Sequence, residues 1–145
     1  MSTRAQIDEF LDHYDLALVR PSSTIPVRGG KIDDELEKKG YKIRVVYLDG
    51  PEGTPKLGNL PLPVEGAIIA VPKDRSEQAV REAVEAGVPR LWIQNGCESK
   101  AAIDVAEKSG VPLVYGHCVL MYADPVQSVH AFHRWLAKSF GRLAK

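Results

Sequence analysis

A chain of 145 residues suits one domain, and 44% hydrophobic with 26% charged residues is an ordinary globular balance, enough to bury a core without metal or disulfide staples. The formal net charge is zero, so no global basic field favours nucleic acid as a partner. No apolar run approaches the roughly 20 residues that cross a bilayer, residues 1–15 carry no signal-peptide core, and two cysteines are too few for a disulfide framework, so the expected setting is the cytoplasm with no membrane contact.

Residues 2–13 read as a helix, with Ser2 or Thr3 as its cap and Ile7, Phe10 and Leu11 as one apolar stripe. Leu-Ala-Leu-Val at 16–19 is a short apolar run without alternation, the pattern of a parallel strand covered on both faces. A loop follows, and Arg28-Gly29-Gly30-Lys31 leads into a helix over 32–39 that ends at Gly40. A strand is predicted over 41–48. Residues 49–64 are rich in Pro and Gly and read as loop, with a short extended piece at 60–62. The pattern continues with a strand at 66–71, a helix at 74–86, a strand at 90–94, a helix at 99–109 capped by Ser99 and a strand at 112–115. Pro125 opens a last helix to about Phe140, with Val129, Phe132, Trp135 and Leu136 on one side.

This alternation predicts an α/β fold: a single doubly wound domain over residues 1–145 with a mainly parallel sheet and a C-terminal helix at about 125–140. Ligands of such sheets lie in the crevice at the carboxyl ends of the strands, near the switch in strand order. Five loops follow those ends, beginning at Arg20, Asp49, Pro72, Asn95 and Gly116.

Local chemistry leaves each candidate with two readings. Arg28-Gly29-Gly30-Lys31 offers backbone N–H groups and two cations at a helix start, as a phosphate requires. It also fits a solvated turn, with Asp33, Asp34 and Glu35 stabilising the first helical turn. No Gly-x-Gly-x-x-Gly follows the first strand, so the standard dinucleotide fingerprint is missing. Pro72 shapes a loop from which Lys73 or Arg75 could reach a phosphate, unless Asp74 or Ser76 simply caps the next helix. Gly96 allows a ligand to lie against backbone, with Gln94 and Asn95 to hydrogen-bond it; the same residues make a tight turn. Cys97, His117 and Cys118 fall at one sheet edge, but no Cys-x-x-Cys and no clear fourth ligand accompany them. Neither a catalytic thiol nor a metal site is expected.

Over residues 7–124 the chain resembles the small CoA-binding proteins, single Rossmann-like domains similar to the nucleotide-binding domain of the succinyl-CoA ligase α subunit. "LALVRPSS" stands where that family has a strand entering a Gly-Ala-Ser turn. "LEKKGYKIRVVYLDGP" resembles its helix, Gly-Tyr, strand and Asn-Pro loop, and "AIIAVPKD" its next strand and ligand-facing loop. "AVEAGVPRLWIQNGC" is similar to its helix, strand and Trp-x-Gln-x-Gly turn, and "AEKSGVPLVYGHCVLMY" to its helix, strand and Asp-Arg-Cys ending. Trp92-Ile93-Gln94-Asn95-Gly96 and His117-Cys118 are the more specific segments.

The resemblance implies non-catalytic binding of CoA or an acyl-CoA, a nucleotide-bearing cofactor, at the carboxyl edge. The residues it implies are Ser22, Arg28, Gly29, Gly30, Lys31, Asp49, Pro72, Lys73, Gln94, Asn95, Gly96 and Cys97. Two departures bear on that site. Arg20-Pro21-Ser22 replaces the Gly-Ala-Ser turn and offers a phosphate less backbone, so Arg28 to Lys31 would take over. Asp49-Gly50-Pro51 replaces Asn-Pro and adds a carboxylate near the phosphates. Two other readings stay open: a small NAD- or thiol-dependent enzyme using Cys97 or Cys118, and a degenerate domain acting only through protein contacts. The apolar side of the last helix would pack on the sheet or on a second copy, as in a homodimer.

Overall fold

Leu16, Ala17, Leu18 and Val19 are at most 1% exposed, because the strand that carries them is covered on both faces. The computed structural model describes residues 3–22, 32–60 and 64–122. The turn of Arg28, Gly29, Gly30 and Lys31 and the helix expected at 125–140 lie outside them. The first helix, α1 (Arg4–Leu11), is opened by Thr3 and Gln6 in a reciprocal capping box. Five strands follow, β1 (Asp15–Ser22), β2 (Lys42–Asp49), β3 (Gly66–Ile69), β4 (Leu91–Gln94) and β5 (Leu113–His117). Between them run α2 (Ile32–Lys38), α3 (Lys73–Glu85) and α4 (Lys100–Ser109). All neighbouring strands are parallel, in the order β2-β1-β3-β4-β5.

The side-chain period of two divides the core between two layers. Leu16 and Leu18 join Ile7, Phe10, Leu11, Leu36 and Trp92 on the face covered by α1 and α2. Ala17 and Val19 join Ala79, Ala83, Ala102 and Ala106 on the face covered by α3 and α4. Four small alanines there allow both helices to lie close to the sheet. This is the doubly wound α/β architecture that the alternation predicts.

Several boundaries differ from the sequence reading. β1 does not stop at Val19. Its pairing with β3 ends at Val19↔Ile69, but its pairing with β2 continues to Ser22↔Asp49. Past Val19 it therefore has a neighbour on one side only, an edge position that tolerates Pro21. Residues 49–60 hold a 3-10 turn, Leu57–Asn59, anchored by the buried Leu57, and Leu60 after it is extended. β5 runs to His117, beyond the predicted end at Tyr115. Its register against β4 shifts between Ile93 and Gln94, with Tyr115 opposite the first and His117 opposite the second. The extra residue is Gly116 at φ 84°, a conformation that glycine adopts without strain, so the strand bulges at the carboxyl edge and re-aims His117.

Candidate functional site

The connection after β1 leads outward to β2, and the chain then crosses to β3 on the other side of β1. The switch point, where open α/β sheets take their ligands, lies above the end of β1. Ser22 closes that strand directly beside Asp49 on β2. Arg20, two residues earlier, turns its guanidinium to Asp33 in the first turn of α2, Nη2 to Oδ1 at 3.2 Å. One of the three acids at the start of α2 is thus spent on Arg20.

Asp49 is not a free carboxylate. Arg75 grips it with two parallel bonds, Nη1 to Oδ2 at 2.8 Å and Nη2 to Oδ1 at 3.0 Å. Arg75 also donates from Nε and Nη2 to Gln78 Oε1, at 3.1 and 3.0 Å. The pair reaches from the end of β2 to the first turn of α3. The hydrogen bonds from Arg75 hold the Asp49 carboxyl below the usual carboxylate range. Lys56 lies within electrostatic reach of Asp49, and its ammonium donates to Leu48 O at 3.2 Å.

Neither Asp74 nor Ser76 caps α3. Its N-cap is Pro72, which makes no side-chain capping bond, and the helix begins at Lys73. The buried Ser76 instead donates from Oγ to Lys73 O at 2.8 Å and lies 3.0 Å from Ser99 Oγ. Ser99 caps α4, its Oγ accepting from Ala102 N at 3.1 Å. Two serine hydroxyls therefore tie the starts of α3 and α4 together below the crevice. Pro72 and Lys73 stand exposed above it.

At the end of β4, Gln94 faces inward to the next loop. Its Nε2 donates to Cys118 Sγ at 3.1 Å and its Oε1 accepts from Val119 N at 3.0 Å. Both ends of the amide thus hold the segment after β5. Asn95 and Gly96 are exposed, and Gly96 sits at φ 88° with open space where a Cβ would stand. Its N–H is occupied: it donates to Glu98 Oε2 at 3.1 Å. Glu98 was missed by the sequence reading, although an acid two residues beyond a turn glycine is placed to reach that N–H. The half-buried Cys97 thiol is pushed up chiefly by burial, which outweighs the lowering hydrogen bond with the Val71 backbone; Glu98 adds a smaller push upward and Lys73 a smaller one downward.

His117 and Tyr122 pack edge to face, with Tyr122 Oη 3.2 Å from His117 Nδ1. Trp92 Nε1 donates to His117 O at 3.0 Å, and the Phe10 ring meets the Trp92 ring edge-on at 5.4 Å. Both cysteines are free thiols. Among the described residues no three His, Cys, Asp or Glu side chains are grouped to hold a metal ion, and no helix is long and apolar enough to cross a membrane.

Of the twelve residues singled out by sequence, Ser22, Asp49, Pro72, Lys73, Gln94, Asn95, Gly96 and Cys97 stand at this one edge of the sheet. The other four belong to the segment outside the described residues. A family model described as a CoA binding domain matches residues 18–124, a span that includes every strand end described above. Among solved structures, a conserved hypothetical protein from Pyrococcus furiosus is 33% identical, with a TM-score of 0.61 over 74% of this chain and 97% of that one. A hypothetical protein from Pyrococcus horikoshii shares the fold at 21% identity, with a TM-score of 0.69 over 83% of this chain and 89% of the other. So does a protein from Thermus thermophilus, at 16% identity and a TM-score of 0.61 over 83% and 96%. No curated protein matches the sequence.

Proposed function

Because the chain belongs to the CoA binding domain family, we propose that it binds CoA or an acyl-CoA at the carboxyl edge of the sheet and does not itself catalyse a reaction. The observation that carries this reading is the family match running through all the described loops at that edge. The geometry is compatible with it. Pro72, Lys73, Asn95 and Gly96 are exposed around the switch point, and Ser22 and Asp49 form its floor on neighbouring strands. Gln94 acts by holding the loop after β5, and the Arg28, Gly29, Gly30 and Lys31 turn supplies backbone and charge to the phosphates. The thiol of Cys97, shifted away from the thiolate, suits a wall of the site better than a nucleophile. A cytoplasmic setting, where CoA is available, belongs to the same proposal.

Calorimetric titration with CoA, acetyl-CoA, NAD and ATP tests it. The expected result is heat with the CoA species, weakened about tenfold or more in Arg28→Ala and Lys31→Ala as a charge-assisted contact is lost. No heat and no thermal shift with any CoA species at millimolar ligand would end the reading. Binding of NAD alone would move the enzyme alternative ahead of it.

A further inference from the structure

The Asp49–Arg75 pair makes a demand on the ligand that the binding of a CoA-type cofactor does not by itself contain. Across the switch point of such a sheet, a nucleotide leaves its phosphates near the loop after the first strand and its ribose near the end of the second. Asp49 is the last residue of β2 and lies in register with Ser22, the last residue of β1. Its carboxylate is therefore the acidic group beside the ribose. Two of its lone-pair positions are taken by Arg75, one on each oxygen. A carboxylate has about four, so two remain to accept hydrogen bonds. A vicinal ribose diol presents two hydroxyl donors and matches them.

A phosphorylated ribose fits badly. It would bring a dianion against a carboxylate, and the cation that could compensate is nearly consumed. Of the five guanidinium N–H groups of Arg75, four are engaged: Nη1 and Nη2 each donate to Asp49, and Nε and Nη2 each donate to Gln78. Among the described residues, Lys56 is the other cation within electrostatic reach of Asp49, and its ammonium is directed to Leu48 O.

Resting on the CoA-binding reading, we infer that Asp49, held by Arg75, is a specificity residue that selects adenosine ligands with a free ribose diol over those carrying a phosphate on the ribose. The preferred ligand class is a pantetheine-bearing adenosine diphosphate without the 3′-phosphate, and CoA itself binds the same crevice more weakly.

The test is a pair of titrations, CoA against 3′-dephospho-CoA, on the parent and on Asp49→Asn. That variant removes the charge, leaves a similar shape and changes an exposed position, so its melting temperature serves as the control for folding. The expected result is about tenfold tighter binding of 3′-dephospho-CoA by the parent, the scale of one charge-assisted contact. In Asp49→Asn the preference should vanish or reverse as Arg75 becomes available to the phosphate. Equal affinities in the parent, or tighter CoA, would overturn the inference while leaving CoA binding intact. A preference that persists unchanged in Asp49→Asn would overturn the role of Asp49. If neither compound binds the parent, the CoA-binding reading itself is overturned.

Discussion

The two halves of the carboxyl edge are built from different interactions. Around β1, β2 and β3 the contacts are between full charges: Arg20 with Asp33 and Asp49 with Arg75. The Asp49 and Arg75 side chains are 54% and 30% exposed, so water screens and competes for their interaction. Around β4 and β5 the network is neutral, apart from the Glu98 carboxylate that accepts from Gly96 N–H. Gln94 bonds the loop after β5 through both ends of its amide, Trp92 bonds His117 O, and the Trp92 ring meets Phe10 edge-on and Tyr122 at a tilt. An exposed ion pair contributes little to stability, and its carboxylate keeps lone pairs open to a hydroxyl-bearing ligand. The part-buried neutral network has no such opening, because each group left without a partner costs its desolvation. On the proposed reading, the first half is the ligand surface and the second is the frame which holds it.

Four measurements would break or sharpen this contrast. Trp92 is fully buried at the centre of the neutral half. Trp92→Ala should cost about 3–5 kcal/mol in urea unfolding, the range for an aromatic removed from a core. A loss below 1 kcal/mol would mean that the ring is not part of the frame. Next comes Gln94→Leu, which leaves Val119 N–H without its acceptor and should cost about 1–3 kcal/mol. Its effect on CoA affinity should come through that loosening, so a variant that keeps its stability but loses affinity would move Gln94 into the ligand surface.

Lys73→Ala, in the charged half, should show the opposite pattern. CoA affinity should fall about tenfold, more steeply at low salt, with the melting temperature nearly unchanged. Unchanged affinity would remove Lys73 from the site. The smallest effect concerns Asp49 and pH. Its pKa in the folded protein is depressed, mainly by the hydrogen bonds from Arg75. Its stabilising contribution is therefore complete above the unfolded carboxyl value and is lost as pH falls through the lower folded value. The melting temperatures of the parent and Asp49→Asn should differ slightly near neutral pH and converge only in strong acid. A difference that already closes near pH 6 would show that another group governs the pair.

Much of the fold can be read from local pattern. The capping box at Thr3, the Ser99 cap, the left-handed Gly110 after α4 and the unalternated Leu-Ala-Leu-Val run each involve residues within a few positions of one another. The edge of the sheet that carries the candidate site could be read in the same way, because every loop in question follows a recognisable apolar strand. The choice of cap for α3 could not. Asp74 and Ser76 are both good capping residues, but Ser76 is drawn to Ser99, 23 residues away, and Pro72 is left at the cap position.

The sequence by itself determined the αβ alternation and the set of loops at one end of the sheet, since periodicity and chain direction suffice for these. Tertiary structure alone decided what each polar group in those loops touches. Arg75 could have served a phosphate, but Asp49 lies 26 residues before it and is brought to it when β2 and β3 take places on opposite sides of β1. Gln94 could have faced a ligand, but the bulge at Gly116 brings the loop after β5 to its amide. Pairings of this kind depend on strand order and register, which are settled by packing across the whole sheet and leave no trace in the spacing of the residues involved.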